Sequence, residues 1–219
     1  MTSPFASKED RTENLMDWFN LHSKQVSWGL LGLAILAAGG WFYTRSQNLK
    51  NERAETAYFA AQRSVVAGNL PLAESDLRKM VTRYSGTPAA MEASLVLAQV
   101  MYDQGKVQQG LDELKKSSDK IAGSKEFGSA VHVVLASGYE QLKKFAEAGK
   151  EYEEAAEAAR FKADSERYRS LAAKAYLTGN DSAKAKALWT ELGADSKGTV
   201  AGEARVRLGE MTAKPEPRS

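Results

Sequence analysis

The pattern of apolar and polar positions changes twice along the chain. Residues 26–43 read VSWGLLGLAILAAGGWFY, a run without a single charge in which Ser27 is the only polar side chain. At about 1.5 Å per residue, roughly 20 residues cross the hydrocarbon core of a bilayer, so the run predicts a transmembrane helix over 26–44. Trp28 at one end and Trp41, Phe42 and Tyr43 at the other stand at the interfacial depths amphipathic rings prefer, and Lys24 and Arg45 bracket the run. A buried core helix and a cleaved signal peptide are the competing readings. Core helices rarely run so far without a charge. A signal peptide would not continue into Trp41-Phe42-Tyr43 after a long acidic arm. The expectation is an uncleaved signal anchor. Gly29, Gly32, Gly39 and Gly40 lie in the span, where they either reflect the general use of Gly in membrane helices or form a flat face for another membrane helix.

In the arm that precedes it, residues 1–25, Leu15, Trp18, Phe19 and His22 fall at i, i+3, i+4 and i+7. They predict a short amphipathic helix on the membrane surface, with Thr12 able to cap its start. A disordered tail with some apolar residues is the alternative.

After the span, helical stretches alternate with short breaks at Gly68-Asn69, 85–88, Gly105-Lys106, Lys143-Lys144, Gly179-Asn180 and Gly193. From residue 44 to 67 there is no Pro or Gly, so the membrane helix is expected to run unbroken into the first of these stretches. Aligned on the breaks, a small residue opens the second helix of each unit: Ala73, Gly110, Ala148 and Ala185, at steps of 37, 38 and 37 residues. Twelve positions earlier stand Ala61, Ala98, Ala136 and Ala173, nine earlier Ser64, Met101, Tyr139 and Tyr176, and four later Leu77, Leu114, Tyr152 and Trp189. Antiparallel helices approach closely where side chains are small, and large residues fill the grooves beside the crossing. A single pair cannot bury its apolar face, so units must stack. The expected fold is all-α: one transmembrane helix, then an α-solenoid of about four helix pairs over 45–211, closed by a capping helix at 199–211 with Val200, Ala204, Val206 and Leu208 as its contacts. Residues 212–219, with Pro215 and Pro217, are expected to form a disordered tail. A plain helix bundle is the alternative architecture.

Composition narrows the chemistry. The net charge of +2 gives no basic footprint for nucleic acid, and the absence of Cys removes disulfides, thiolate nucleophiles and Cys-based metal sites. The two His residues, His22 and His132, lie on opposite sides of the span and build neither a triad nor a paired-His metal motif. Acidic pairs such as Glu153-Glu154 alternate with Ala and Lys like solvated helix faces. No enzyme activity, cofactor, metal or small-molecule substrate is expected. Counting Lys and Arg on the two flanks does not decide orientation, because long domains translocate largely regardless of charge.

The third unit, residues 135–156, resembles the tetratricopeptide pattern through Leu135, Ala136, Tyr139, Ala148, Tyr152 and Ala155, with a period longer than the usual repeat. The order of parts resembles the bacterial ancillary subunit of the Sec translocon, most strongly in residues 15–47, with Trp18 and Trp41-Phe42-Tyr43, and in 51–69. That resemblance implies a cytoplasmic arm, a single span of the inner membrane and a periplasmic repeat domain. It also implies translocon subunits, periplasmic chaperones and emerging secreted chains as protein partners, and no catalytic residues. The alternative function is a structural subunit or assembly factor of another membrane complex. In such repeats the first helix of each unit lines the inner face, which makes Gln99 and Tyr102, then Ser137, Glu140 and Gln141, then Lys174 the candidate protein-binding residues. Capture of a partner's terminal carboxylate is not expected, since Lys174 alone would supply a cation.

Overall fold

In the computed structural model of the protein, residues 21–213 are described. The surface helix expected in the arm before them and the tail beyond Ala213 lie outside this range. The chain divides into two units at Lys50/Asn51.

Helix α1, Ser23–Val66, is the long element that the break-free sequence predicts. In its first part Trp28, Ile35 and Phe42 are 74%, 63% and 71% exposed, and no large apolar side chain from 28 to 43 is buried. This is the one helix among the described residues long and apolar enough to cross a membrane.

The second unit takes up residues 51–66 of α1 and then α2 (Leu70–Arg83), α3 (Pro88–Asp103), α4 (Val107–Lys115), α5 (Ser118–Ala122), α6 (Gly128–Gln141), α7 (Phe145–Glu157), α8 (Lys162–Thr178), α9 (Ser182–Ala194) and α10 (Ala201–Thr212). Starts are written in the sequence: Asn69 accepts the Leu72 N–H, Thr87 the Ala90 N–H ahead of Pro88, and Asp181 the Lys184 N–H. The paired helices are α1/α2, α3/α4, α6/α7 and α8/α9, with α10 closing the stack. The expected register holds. The small residues at the crossings are buried, Ala98, Ala136, Ala173, Ala73, Ala148 and Ala185 at 2% exposure or less, and Leu77, Leu114, Tyr152 and Trp189 are buried beside them. Three successive cores result, around α1–α3, α3–α6 and α6–α10, so each helix pair is stabilised by its neighbours rather than by one centre.

Two differences from expectation have local causes. The second helix of the second unit is broken into α4 and α5 at Lys116-Ser117, which absorbs part of its longer connection. In α10 the contacts are Ala201, Ala204, Leu208 and Met211, whereas Val206 points outward at 61% exposure. Each residue turns the helix by about 100°, so Val206, two positions from both Ala204 and Leu208, falls on the far side of the axis.

Each within-unit turn closes the same way. Gly68, Gly105, Lys143 and Asn180, at steps of 37, 38 and 37, all have positive φ, and the next residue's N–H bonds back to the Ser64, Met101, Tyr139 and Tyr176 carbonyls at 2.8–3.0 Å. This is a Schellman closure, in which a left-handed residue lets the chain turn without orphaning the last carbonyls. Lys143 meets this demand at φ 58° with a full side chain. Lys143→Gly should therefore raise stability by about 1 kcal/mol; a chemical-denaturation midpoint that moves down instead would show that the Lys side chain is needed there.

The closing helix and the segment that leads into it are fastened by carboxylates. Buried Glu166 accepts from the Thr199 N–H and hydroxyl at 2.6 and 2.7 Å, Lys162 pairs with Asp195, and Ser170 and Lys174 both reach Glu203. The Thr199 hydroxyl bond holds the Glu166 carboxyl below the usual range, and the Lys174 ammonium does the same for Glu203. A depressed folded pKa means stability that is complete above the unfolded value and lost as pH falls through the folded one. Melting temperature should thus fall as pH drops below about 5, and Glu166→Gln should flatten that dependence. Parallel melts of both proteins from neutral to acid pH check it.

Candidate protein-binding surface

The first helices α3, α6 and α8 place three of the expected residues in one row. Gln99, Ser137 and Lys174 recur at steps of 38 and 37, the spacing of the stack itself. Gln99 and Gln141 are exposed, and Ser137, Glu140 and Lys174 are half-buried. Glu140 accepts a hydrogen bond from Tyr152 Oη at 3.1 Å, which ties it to the second helix of its own unit. Lys174 Nζ lies 2.8 Å from Glu203, so its charge is already partnered by the closing helix. The same step taken backward from Gln99 reaches Gln62, exposed on α1, a member of the row absent from the expected set although the period alone finds it.

Tyr102 does not belong to this surface. It is only 4% exposed, with its ring lodged between Gly110 and Gly138, where a Cβ on either glycine would meet it at 2.7 and 2.6 Å. The two glycines leave the space that draws the ring inward from a helix face that would otherwise point it to solvent. Its hydroxyl has no hydrogen-bond partner among the described residues, and burial pushes its pKa up. A buried phenol cannot contact a partner protein, so the candidate surface is polar and lacks an aromatic.

His132 Nδ1 lies 2.8 Å from Glu151 on the facing helix α7, both of them largely shielded, in a contact within the third unit. Among the described residues no three His, Asp or Glu side chains gather as a metal site. In the span, a Cβ placed on Gly29, Gly32, Gly39 or Gly40 would meet no atom within 4 Å, so none of the described residues covers that face.

The sequence model of the tetratricopeptide repeat-like domain family matches residues 16–191, well over half of the chain. The chain belongs to that family. The match to the tetratricopeptide repeat-like domain takes in the apolar run and the helix pairs as far as residue 191 in α9. No curated protein matches the chain. Among solved structures, the chain is similar to the nearly identical TPR-like repeats of a candidate kinesin light chain from Podosopora anserina, at 18% identity and a TM-score of 0.57, over 73% of this chain and 85% of that one. A single-substitution form of the same repeats gives 18% identity and a TM-score of 0.56 over the same shares. At that identity the likeness is one of fold.

Proposed function

We propose that this protein is a membrane-anchored scaffold for protein–protein contacts, an ancillary subunit of the Sec translocon that links it to periplasmic chaperones and emerging secreted proteins. The repeat-like fold supports an interaction scaffold, and the observation that supports anchoring is the exposed apolar helix from 28 to 43, whose large side chains no described residue buries. The translocon assignment is supported by the resemblance of residues 15–47 and 51–69. In this reading the arm is cytoplasmic, the span crosses the inner membrane, and the repeats are periplasmic and bind without catalysis. Gln62, Gln99 and Ser137 offer amide and hydroxyl groups along one row, with Gln141 one turn beyond Ser137, a surface suited to broad, weak, polar contact with several partners.

Pull-down of the intact protein from mild detergent tests the reading. Translocon channel subunits and chaperones should co-purify; a single abundant complex of another kind would replace the proposal with a structural or assembly role. Protease added to spheroplasts should remove the repeats and leave a short anchored stub, and full protection of the repeats would reverse the orientation.

A further inference from the structure

The first repeat differs from the others in what covers its first helix. In later repeats the first helix is sandwiched between its own second helix and that of the preceding repeat. The residues that meet the preceding repeat are Ala93, Leu97 and Val100 in α3, and Val131, Leu135 and Gly138 in α6, all buried; in α8 Ala172 and Ala175 are buried and Tyr168 is half-buried. The equivalents in α1, 37 residues before those of α3, are Thr56, Ala60 and Arg63, and all three are exposed. Beside them Phe59 is 61% exposed, whereas its equivalent Val134 in the third repeat is 5% exposed. A bare terminal face would be expected to be polar throughout. This one keeps an aromatic and a small residue at its middle.

The flank is also hollow and basic. A depression of about 290 Å³ lies between α1 and α2, floored by Ala57, Ala60 and Met80 and walled by Tyr84. A second, of about 470 Å³, adjoins it and shares Ala57, Ala60 and Tyr84. The cations that line them are Arg53, Lys79 and Arg83 and the anions Glu52 and Asp76; on the exposed face of α1, Arg63 stands one turn after Phe59 and Glu55 one turn before it. Asp76 is already engaged by the Ser64 hydroxyl at 3.2 Å and by Lys79 at 3.9 Å. Arg83 rests over the Tyr84 ring, which leaves its guanidinium edge open to a carboxylate.

We propose that this flank receives an acidic amphipathic helix from a partner protein, seated where the second helix of a preceding repeat would lie. The apolar face of that helix covers Phe59 and Ala60, as second helices cover the equivalent positions further along the stack. Its carboxylates meet Arg53, Arg63 and Arg83, which supplies orientation and steering. The small side chains of Ala57 and Ala60 permit the close approach that helix packing needs. The inference rests on the reading of the chain as a protein-binding scaffold and adds a second surface, distinct from the row through Gln99.

The test uses the full chain in nanodiscs of zwitterionic lipid and a fluorescent designed helix with Leu along one face and Glu on both flanks. Anisotropy should rise saturably. Phe59→Asp, and separately Arg53→Glu with Arg83→Glu, should each weaken binding at least about tenfold, while Gln109→Ala with Glu147→Ala, on the second helices of later repeats, leaves it unchanged. All five of these side chains are exposed, and unchanged melting of each variant confirms that the fold is intact. Equal binding of the same helix with Lys in place of Glu, or unchanged affinity in Phe59→Asp, overturns the proposal. So does loss of peptide binding when anionic lipid enters the disc, which would make the flank a lipid contact. The scaffold reading fails separately: pull-down that still recovers translocon subunits beside a failed peptide titration removes this flank alone.

Discussion

Replacing Trp189 with Ala is expected to lower the stability of the repeat unit by about 3–5 kcal/mol. Trp189 is fully buried and is the largest of the buried side chains, in a core that joins Tyr152, Ala173, Tyr176, Ala185, Leu192 and Ala204 from four successive helices, α7 to α10. Many of its neighbours are alanines, whose backbones are already at close approach and cannot collapse into the space an indole leaves. The cavity would therefore persist, which is the condition for the upper end of the range. Trp189→Phe should cost much less, since it retains a ring and removes an indole N–H that has no hydrogen-bond partner among the described residues. Because each repeat is held by nearest neighbours, the Ala variant should lose protection first in α8–α10 and last in α2 and α3. Denaturant titration with hydrogen exchange resolved along the chain would measure both effects. A loss below about 1 kcal/mol, or one spread evenly over all repeats, would contradict the packing described.

Leu33→Arg combined with Ile35→Arg should move the protein out of the membrane fraction. Both residues lie near the middle of the apolar run and are exposed, at 64% and 63%. An arginine at the centre of a membrane helix costs about 2.5–3.5 kcal/mol to insert, so the pair opposes anchoring by roughly twice that. In a helix that is merely an exposed rod in water the same changes would improve solubility and leave the location unaltered. Extraction of membranes at alkaline pH separates these outcomes: the parent chain should stay with the lipid and the double variant should be released. Retention of the variant in the lipid fraction would show that the run is not what holds the protein there.

Particular residues show how much of the fold was legible in the sequence. The steps of 37, 38 and 37 through Ala73, Gly110, Ala148 and Ala185 located the crossing within each helix pair, because close approach of two helices restricts one position to small side chains and leaves a mark that survives in a single chain. The uncharged run was legible for the same kind of reason: lipid admits few residue types, so composition alone reports a segment able to span it. The positive-φ turns at Lys143 and Asn180 were visible as breaks but not as closures, since a Lys gives no sign of a left-handed residue and in Gly179-Asn180 it is the Asn, not the more permissive Gly, that takes it.

Tyr102 shows where such reading stops. Helical spacing set it one turn from Gln99 and so on an open face, but the space beside it is made by Gly110 and Gly138, one from its own unit and one from the next. Whether a side chain lies inside or outside depends on atoms far along the chain, and no local pattern records them. Glu166 is similar: it reads as one more surface carboxylate until Thr199, 33 residues on, closes over it. Phe59 gives the opposite case, an apolar residue at a position buried in the third repeat and left bare in the first. Periodicity therefore determined the fold and the repeat register, and local composition the apolar span, because each reflects a local restriction on side-chain size or polarity. Which faces are open, which charges are already paired and where a partner can sit were decided only in the tertiary structure, because they depend on what neighbouring repeats cover and leave uncovered.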